Sequence, residues 1–298
     1  MEWLSKFKIA EANGDIYELH RLRREIYADT VAAVQRGGYC VDGNTIELPR
    51  PDEMMNNTIL YSAPITTDRQ QEKSPVIVEV INSDSLAAGY KLLKEDLHPA
   101  VLNFANRQTP GGGVLGGSGA QEENIFRRSN LFMSLYQFHD HGISFDIPQR
   151  TEQYPLDHNY GGVYSPAVTV FRGLESEGYP FLAEPYQVGI ITVAALNRPP
   201  LQSPDLLEAG MIEPTKRKMR TIFRIALEHG HDSIVLGAFG CGAFRNPPAH
   251  IARLFHEIMD EPEFLDRFKK IVFAIYDRKV DHLRSKIGNL TYFQKEFE

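Results

Sequence analysis

The amino-acid sequence predicts an α/β fold in which helices pack on a sheet. Two observations carry this and a third sets the N-terminal part aside. From residue 75 onward, short β-branched runs alternate with helical segments, and two of those runs lead straight into glycine-rich loops, at 111–119 and 237–242. Before residue 75 the texture differs: one amphipathic helix stands in polar, irregular sequence.

That first helix is read over 15–36, where Ile16, Leu19, Leu22, Ile26, Val31 and Val34 recur at helical spacing and Gly37-Gly38 stops it. Residues 37–74 are polar, with loops expected at Pro49-Arg50-Pro51-Asp52 and at 70–74. Residues 1–74 are therefore expected to form an accessory region packed on a core of 75–298. In the core, strand 76–81, helix 85–95 and strand 100–104 form a βαβ unit. Further buried strands are expected at 187–194, 233–237 and 270–276, and helices at 126–138, 213–229 and 248–259. The polar tail after Asp277 is expected to pack back on the core or to order a rim loop.

Hydrophobic residues make up 42% of the 298 and charged ones 24%, the profile of a globular protein with a real core. A formal net charge of −7 opposes direct nucleic-acid binding through phosphates, which needs a basic surface. Only Cys40 and Cys241 occur, without CxxC or Cys/His spacing, so neither a disulfide framework nor a zinc site is indicated. No signal-peptide pattern opens the chain, and no run reaches the ~18 apolar residues of a membrane span, so the expected location is cytoplasmic, or nuclear in a eukaryote.

Chemistry concentrates between Leu102 and Glu123. A strand runs into Gly111-Gly112-Gly113, and glycine lets backbone approach a ligand with no Cβ in the way. Ser118 and Gln121 match a capping box, which predicts a helix from about Gly119 with Gln121, Glu122 and Glu123 in its first turn. Adjacent carboxylates beside such a loop suit cleavage of a glycosidic bond: one holds the sugar while the other donates and later accepts a proton. A helix N-terminus favours ionised carboxylates, whereas mutual repulsion and an incoming anion favour the protonated form of one. The plainer reading is a surface helix start with an i,i+4 pair between Glu123 and Arg127.

Three coincidences are set aside. Gly111, Gly113 and Gly116 satisfy GxGxxG but neither open a helix at once nor precede an acidic residue at a strand end about 20 residues on. Residues 116–120 lack the last glycine of a nucleophile elbow, and His139-Asp140-His141 has no third metal ligand.

The second loop, 235–248, also joins strand to helix. Its glycines can present successive amides to an anion, Pro247 or Pro248 starts the next helix, and Phe244 offers a ring for stacking. Cys241 reads as a small loop residue, with His250 the only nearby base for any nucleophilic role.

Gly111-Gly112-Gly113, seven residues, then Gln121-Glu122-Glu123 resembles the signature of poly(ADP-ribose) glycohydrolases of the microbial type. Gly162-Val163-Tyr164-Ser165-Pro166, Ile191-Thr192-Val193-Ala194-Ala195 and residues 236–248 are similar to the same family, so the likeness spans 21–277. It implies a macrodomain-like α/β/α sandwich with a mixed central sheet and an N-terminal helical accessory region. It further implies an exo-acting glycosidase that needs no cofactor or metal, takes ADP-ribose and poly(ADP-ribose) attached to proteins, and engages no membrane.

By that resemblance Glu123 is the acid/base and Glu122 holds ribose hydroxyls, beside Gln121 and the Gly111, Gly112, Gly113 loop. Asp84 looks like the adenine-contacting Asp and Asn106 like the ribose-contacting Asn. Gly240, Cys241, Gly242, Ala243, Phe244 and Arg245 look like the diphosphate loop. Arg245 departs from the pattern, standing where many macrodomains have glycine, and Ala243 is smaller than the usual Val. The alternatives are a hydrolase of mono-ADP-ribosylated protein or nucleic acid, and a non-catalytic ADP-ribose reader, against which the intact Glu122 and Glu123 argue.

Overall fold

The computed structural model describes residues 2–66, 73–277 and 288–298. The elements begin with α1 (Glu2–Asn13), α2 (Ile16–Arg36), the strands β1 (Gly38–Val41) and β2 (Asn44–Glu47), α3 (Asp52–Asn56) and β3 (Ile59–Tyr61). Next come β4 (Ile77–Ile81), α4 (Ser85–Lys94), β5 (Pro99–Phe104), α5 (Gln121–Arg128), α6 (Leu131–Leu135), β6 (Gly162–Arg172) and β7 (Phe181–Val193). The chain closes with β8 (Leu201–Ser203), β9 (Leu206–Leu207), α7 (Ala209–Glu228), β10 (Ser233–Leu236), α8 (Pro248–Met259), β11 (Lys270–Ala274) and α9 (Asn289–Phe297).

Seven strands form one mixed sheet in the order β3-β6-β7-β5-β10-β11-β4. The chain clusters into two compact units, one of Met1–Ile59, Gln108–Pro155 and Ser165–Val188, the other of Leu60–Arg107, Leu156–Tyr164 and Gly189–Glu298.

In the second unit β10 pairs in parallel with both β5 and β11, Val235 lying opposite Val101 and Val272, and β11 pairs in parallel with β4. Residues 189–193 of β7 run parallel to β5. Alternation then sorts the side chains: Ala100, Leu102, Ile234, Leu236, Ile271 and Phe273 join one core cluster with Ile222 and Phe223 of α7, Phe255 of α8 and Phe293 of α9. The opposite face is covered by α4, which packs on β5, β10 and β11. A parallel sheet needs both faces covered, which is why its strands read as continuous apolar runs. Because these strands point one way, residues 82–84, 105–107, 194–196 and 237–241 all follow their C-terminal ends, the edge where open α/β sheets bind ligands.

The expected strands at 76–81, 100–104, 233–237 and 270–276 match β4, β5, β10 and β11 to within a residue or two. The single helix expected at 126–138 is instead α5, α6 and a 3-10 turn at Tyr136–Phe138. Ser129 breaks it: its backbone is extended and bridges Val170, while its hydroxyl donates to the Ile125 carbonyl and accepts from the Leu131 amide. Helix α1 was not anticipated, its buried face being only Phe7 and Ala10. Of the expected loop at 70–74, residues 70–72 lie outside the described residues, as do 278–287 of the tail. The rest of the tail packs back as expected, α9 placing Phe293 in the core.

In the first unit, α2 begins on the Asp15 cap and ends on Gly37 in the left-handed region. It packs against α5 and the 3-10 turn Val114–Gly116.

One buried histidine in the second unit sets a pH limit. His231 is fully buried, its Nδ1 bonded to the His98 carbonyl at 3.1 Å and its Nε2 to the Tyr164 hydroxyl at 2.9 Å. Burial and the neighbouring His98 hold its pKa down to about 3. In the unfolded chain a histidine titrates near ~6.5, so below that pH the unfolded state takes up a proton that the folded state refuses. The stabilisation is complete above pH ~6.5 and is lost as pH falls toward 3. Thermal unfolding followed against pH should therefore show a slope between pH 6.5 and 5 that is shallower by about one proton in His231→Gln.

Candidate active site

Residues 111–123 of the first unit build the carboxylate pair from a turn that only glycine fits. Gly111 and Gly112 lie in the left-handed region, at φ +77° and +52°. A Cβ on Gly111 would stand 2.6 Å from the Phe126 ring, and one on Gly112 would stand 2.6 Å from Glu123 Oε1. With no Cβ there, the loop closes on the helix start. The Gly111 amide donates to Glu122 Oε1 at 3.0 Å and the Gly113 amide to Glu123 Oε1 at 2.8 Å.

Helix α5 opens at Gln121, so Gln121, Glu122 and Glu123 occupy its first turn as expected. The expected capping box is absent: Ala120 is the cap residue, in extended backbone, and no side chain caps the helix. Ser118 is used otherwise, its amide donating to the Gly113 carbonyl and its carbonyl accepting from Arg127 Nη1 at 2.7 Å. The Glu123–Arg127 pair of the plainer reading is not formed among the described residues. Arg127 Nε instead donates to the Tyr179 hydroxyl at 2.8 Å.

Both carboxylates are buried, Glu122 with 3% exposure and Glu123 with 7%. Glu123 Oε2 has no hydrogen-bond partner among the described residues. Leaving a buried acceptor unsatisfied costs on the order of 1–3 kcal/mol, and more for a charged group, so this oxygen is open to a partner from outside the protein. Burial and the charge of Glu122 both act on nearby phenols, pushing Tyr136 up to about 12 and Tyr154 well above its ordinary value.

A network distant in sequence holds α5 in place. Tyr179 donates its hydroxyl to Glu175 at 2.9 Å while accepting from Arg127 and Asn124, and Arg23 of α2 pairs with Glu175 at 2.8 Å. The Thr30 hydroxyl of α2 donates to the Arg127 carbonyl at 2.6 Å. Sequence reasoning missed these residues because no local pattern links positions 152 apart.

The second unit carries the other expected residues, each following a parallel strand. Asp84 caps α4 through the Ala87 amide at 3.0 Å and stands half-buried after β4. Asn106 stands half-buried after β5. The loop after β10 is pinned by Asn246, whose Nδ2 donates to the Leu196 carbonyl at 2.7 Å and to the Gly240 carbonyl at 3.1 Å. Gly240 has φ +73°, and a Cβ on it would meet Asn246 Nδ2 at 2.5 Å. The backbone amides of Gly242, Ala243 and Phe244 make no hydrogen bond among the described residues, which leaves three successive donors for an anion. Phe244 is half-buried against the core. Pro248 opens α8 behind a Pro247 cap.

Cys241 fits the small-residue reading: burial pushes its thiol far up, and it donates to the Phe239 carbonyl at 3.6 Å. His250 serves elsewhere, accepting from the Leu207 amide at 3.0 Å. In the first unit His139 caps a 3-10 turn by accepting from the His141 amide.

Residues 28–173 match the family model of the microbial-type PARG catalytic domain. Among solved structures, the chain is similar to poly(ADP-ribose) glycohydrolase from Thermomonospora curvata bound to the inhibitor ADP-HPD, at 30% identity and TM-score 0.73, covering 92% of this chain and 99% of that one. The chain belongs to the microbial-type poly(ADP-ribose) glycohydrolase family. The glycohydrolase from Deinococcus radiodurans in complex with ADP-ribose is also similar, at 30% identity and TM-score 0.65, covering 85% of this chain and 99% of that one. No curated protein sequence matches.

At Arg245, where the resemblance leads one to expect glycine, the backbone takes a conformation that costs any other residue strain. Arg245 has φ +56°, the left-handed conformation in which glycine is at ease. Arg245→Gly is expected to raise unfolding stability by about 1 kcal/mol, read by urea or thermal unfolding of the ligand-free protein. No gain would mean that the surrounding loop, rather than this residue, bears the strain.

Proposed function

We propose that this glycohydrolase releases ADP-ribose from poly(ADP-ribose) carried on proteins by hydrolysing the ribose–ribose O-glycosidic bond, acting from the chain end. The observation that carries the reading is Glu123: a buried carboxylate with one oxygen fixed by the Gly113 amide and the other without a protein partner. In this reading the partnerless oxygen protonates the departing ribose oxygen as the anomeric carbon gains oxocarbenium character. The resulting carboxylate then takes a proton from the attacking water, which restores the acid. Glu122, fixed through Gly111, holds ribose hydroxyls while Gln121 and the Gly111, Gly112, Gly113 turn shape the loop.

The remaining assignments follow the family resemblance. Asp84 is assigned to adenine and Asn106 to ribose. Gly240, Cys241, Gly242, Ala243, Phe244 and Arg245 are assigned to the diphosphate, supported by the three unclaimed amides. That relatives were solved with ADP-ribose or ADP-HPD supports ADP-ribose as the ligand. Residues 1–74 serve as an accessory region whose α2 braces α5 through Thr30 and Arg23. No helix among the described residues is long and apolar enough to cross a membrane. A cytoplasmic location agrees with two unpaired cysteines in a reducing compartment.

Incubation with poly(ADP-ribose), and separately with mono-ADP-ribosylated protein and nucleic acid, followed by quantitation of free ADP-ribose, tests this. Monomeric ADP-ribose accumulating from polymer is the expected result. Product from the mono-modified substrates alone would replace the reading, and product from none would favour a reader.

A further inference from the structure

The first unit contains a cavity of about 300 Å³ lined in part by the 3-10 turn that follows Gly113. Arg24, Tyr27 and Val31 of α2 line it, with Val114 and Leu115 of the 3-10 turn and Phe145 opposite. Its volume is at the small end of the roughly 300–1,000 Å³ found for ligand sites. Tyr27, Val31 and Val114 are buried, whereas Leu115, two residues after Gly113, is 45% exposed at the mouth. The Tyr27 hydroxyl is taken by Tyr136 at 3.1 Å, so the slot offers rings and aliphatic carbon rather than donors.

Two features specify an occupant. Val114 follows Gly113, whose amide holds Glu123, so the cavity wall and the proposed acid belong to one continuous turn. At the exposed rim, Arg24 donates to the Gly116 carbonyl at 3.3 Å and makes no ion pair among the described residues, in a chain of net charge −7. A flat apolar slot with a single unpaired guanidinium at its mouth suits an aromatic base joined to an anionic group. In the proposed reaction the leaving group is such a molecule, the adenosine of the adjoining unit, with its own diphosphate.

We propose that this cavity is a leaving-group subsite, receiving the adenine of the ADP-ribose unit on the far side of the scissile bond, with Arg24 on that unit's diphosphate. The inference rests on the glycohydrolase reading and adds to it a reason for preferring polymer over other ADP-ribose glycosides.

The test compares kcat/KM for poly(ADP-ribose) with kcat/KM for an ADP-ribose glycoside whose aglycone is a simple alcohol, in the full-length protein and in Leu115→Glu and Arg24→Ala. Both substituted positions are exposed, so neither change empties the core. Leu115→Glu is expected to lower the polymer-to-alcohol ratio by about tenfold, and Arg24→Ala by about threefold. Ratios within about twofold of the unsubstituted protein in both variants would overturn the subsite, as would parallel losses on both substrates, which would mark simple damage to the turn. Failure of the unsubstituted protein to release ADP-ribose from polymer would instead overturn the glycohydrolase reading, and the subsite with it.

Discussion

Glu123→Gln is expected to cut release of ADP-ribose from poly(ADP-ribose) by about 10²–10⁴-fold while leaving ADP-ribose binding within a small factor. The amide has the shape of the carboxylate, and its oxygen can keep the bond from the Gly113 amide, now at 2.8 Å. What it cannot do is give up or take a proton. Because no ion pair to Glu123 is found among the described residues, the substitution strands no buried cation. A thermal shift with ADP-ribose measures retained binding, and the initial rate on polymer measures lost chemistry. Turnover within about tenfold of the unsubstituted protein would remove Glu123 from the acid/base role.

Gly112→Ala is the second large effect, and here activity and stability should part. The φ of +52° costs an alanine on the order of 1 kcal/mol. The new methyl would stand 2.6 Å from Glu123 Oε1 and 3.1 Å from Glu122 Oε2. Those atoms are the ends of flexible side chains, so the clash is relieved by swinging the carboxylates away rather than by unfolding the turn. A displacement of about 1 Å at a catalytic group costs on the order of 10²-fold in rate. Rates on polymer and urea unfolding should therefore show a hundredfold loss of kcat/KM beside only a modest loss of stability. Equal activity would mean that the two carboxylates do not need the positions Gly111 and Gly113 give them.

How much of this was legible in the sequence depended on how local the cause was. The strands β5, β10 and β11 are legible because burial on both faces leaves near-continuous apolar runs, whereas the half-buried edge strand β4 is legible only through the β-branched Ile77, Val78, Val80 and Ile81 around Glu79. The early part of β7, residues 181–186, escapes that reading because its side chains are half-buried or exposed, which erases the signal. The first turn of α5 falls where the sequence predicts it but for another reason: Ser118 does not cap it, and Glu122 and Glu123 instead satisfy loop amides eleven and ten residues back. The break at Ser129 was invisible because it depends on a bridge to Val170. Among candidate residues, the glycines and carboxylates were visible by chemistry, while Thr30, Tyr179 and Glu175 act through contacts that no local spacing announces.

The most direct measurement is a crystal structure of the Glu123→Gln variant with ADP-ribose bound. The expected density places the anomeric carbon within about 3.5 Å of the side chain at position 123, with the ribose hydroxyls on Glu122. A ribose seated elsewhere, with both side chains still closed on Gly111 and Gly113 and untouched by ligand, would contradict the assignment of this turn to the chemistry.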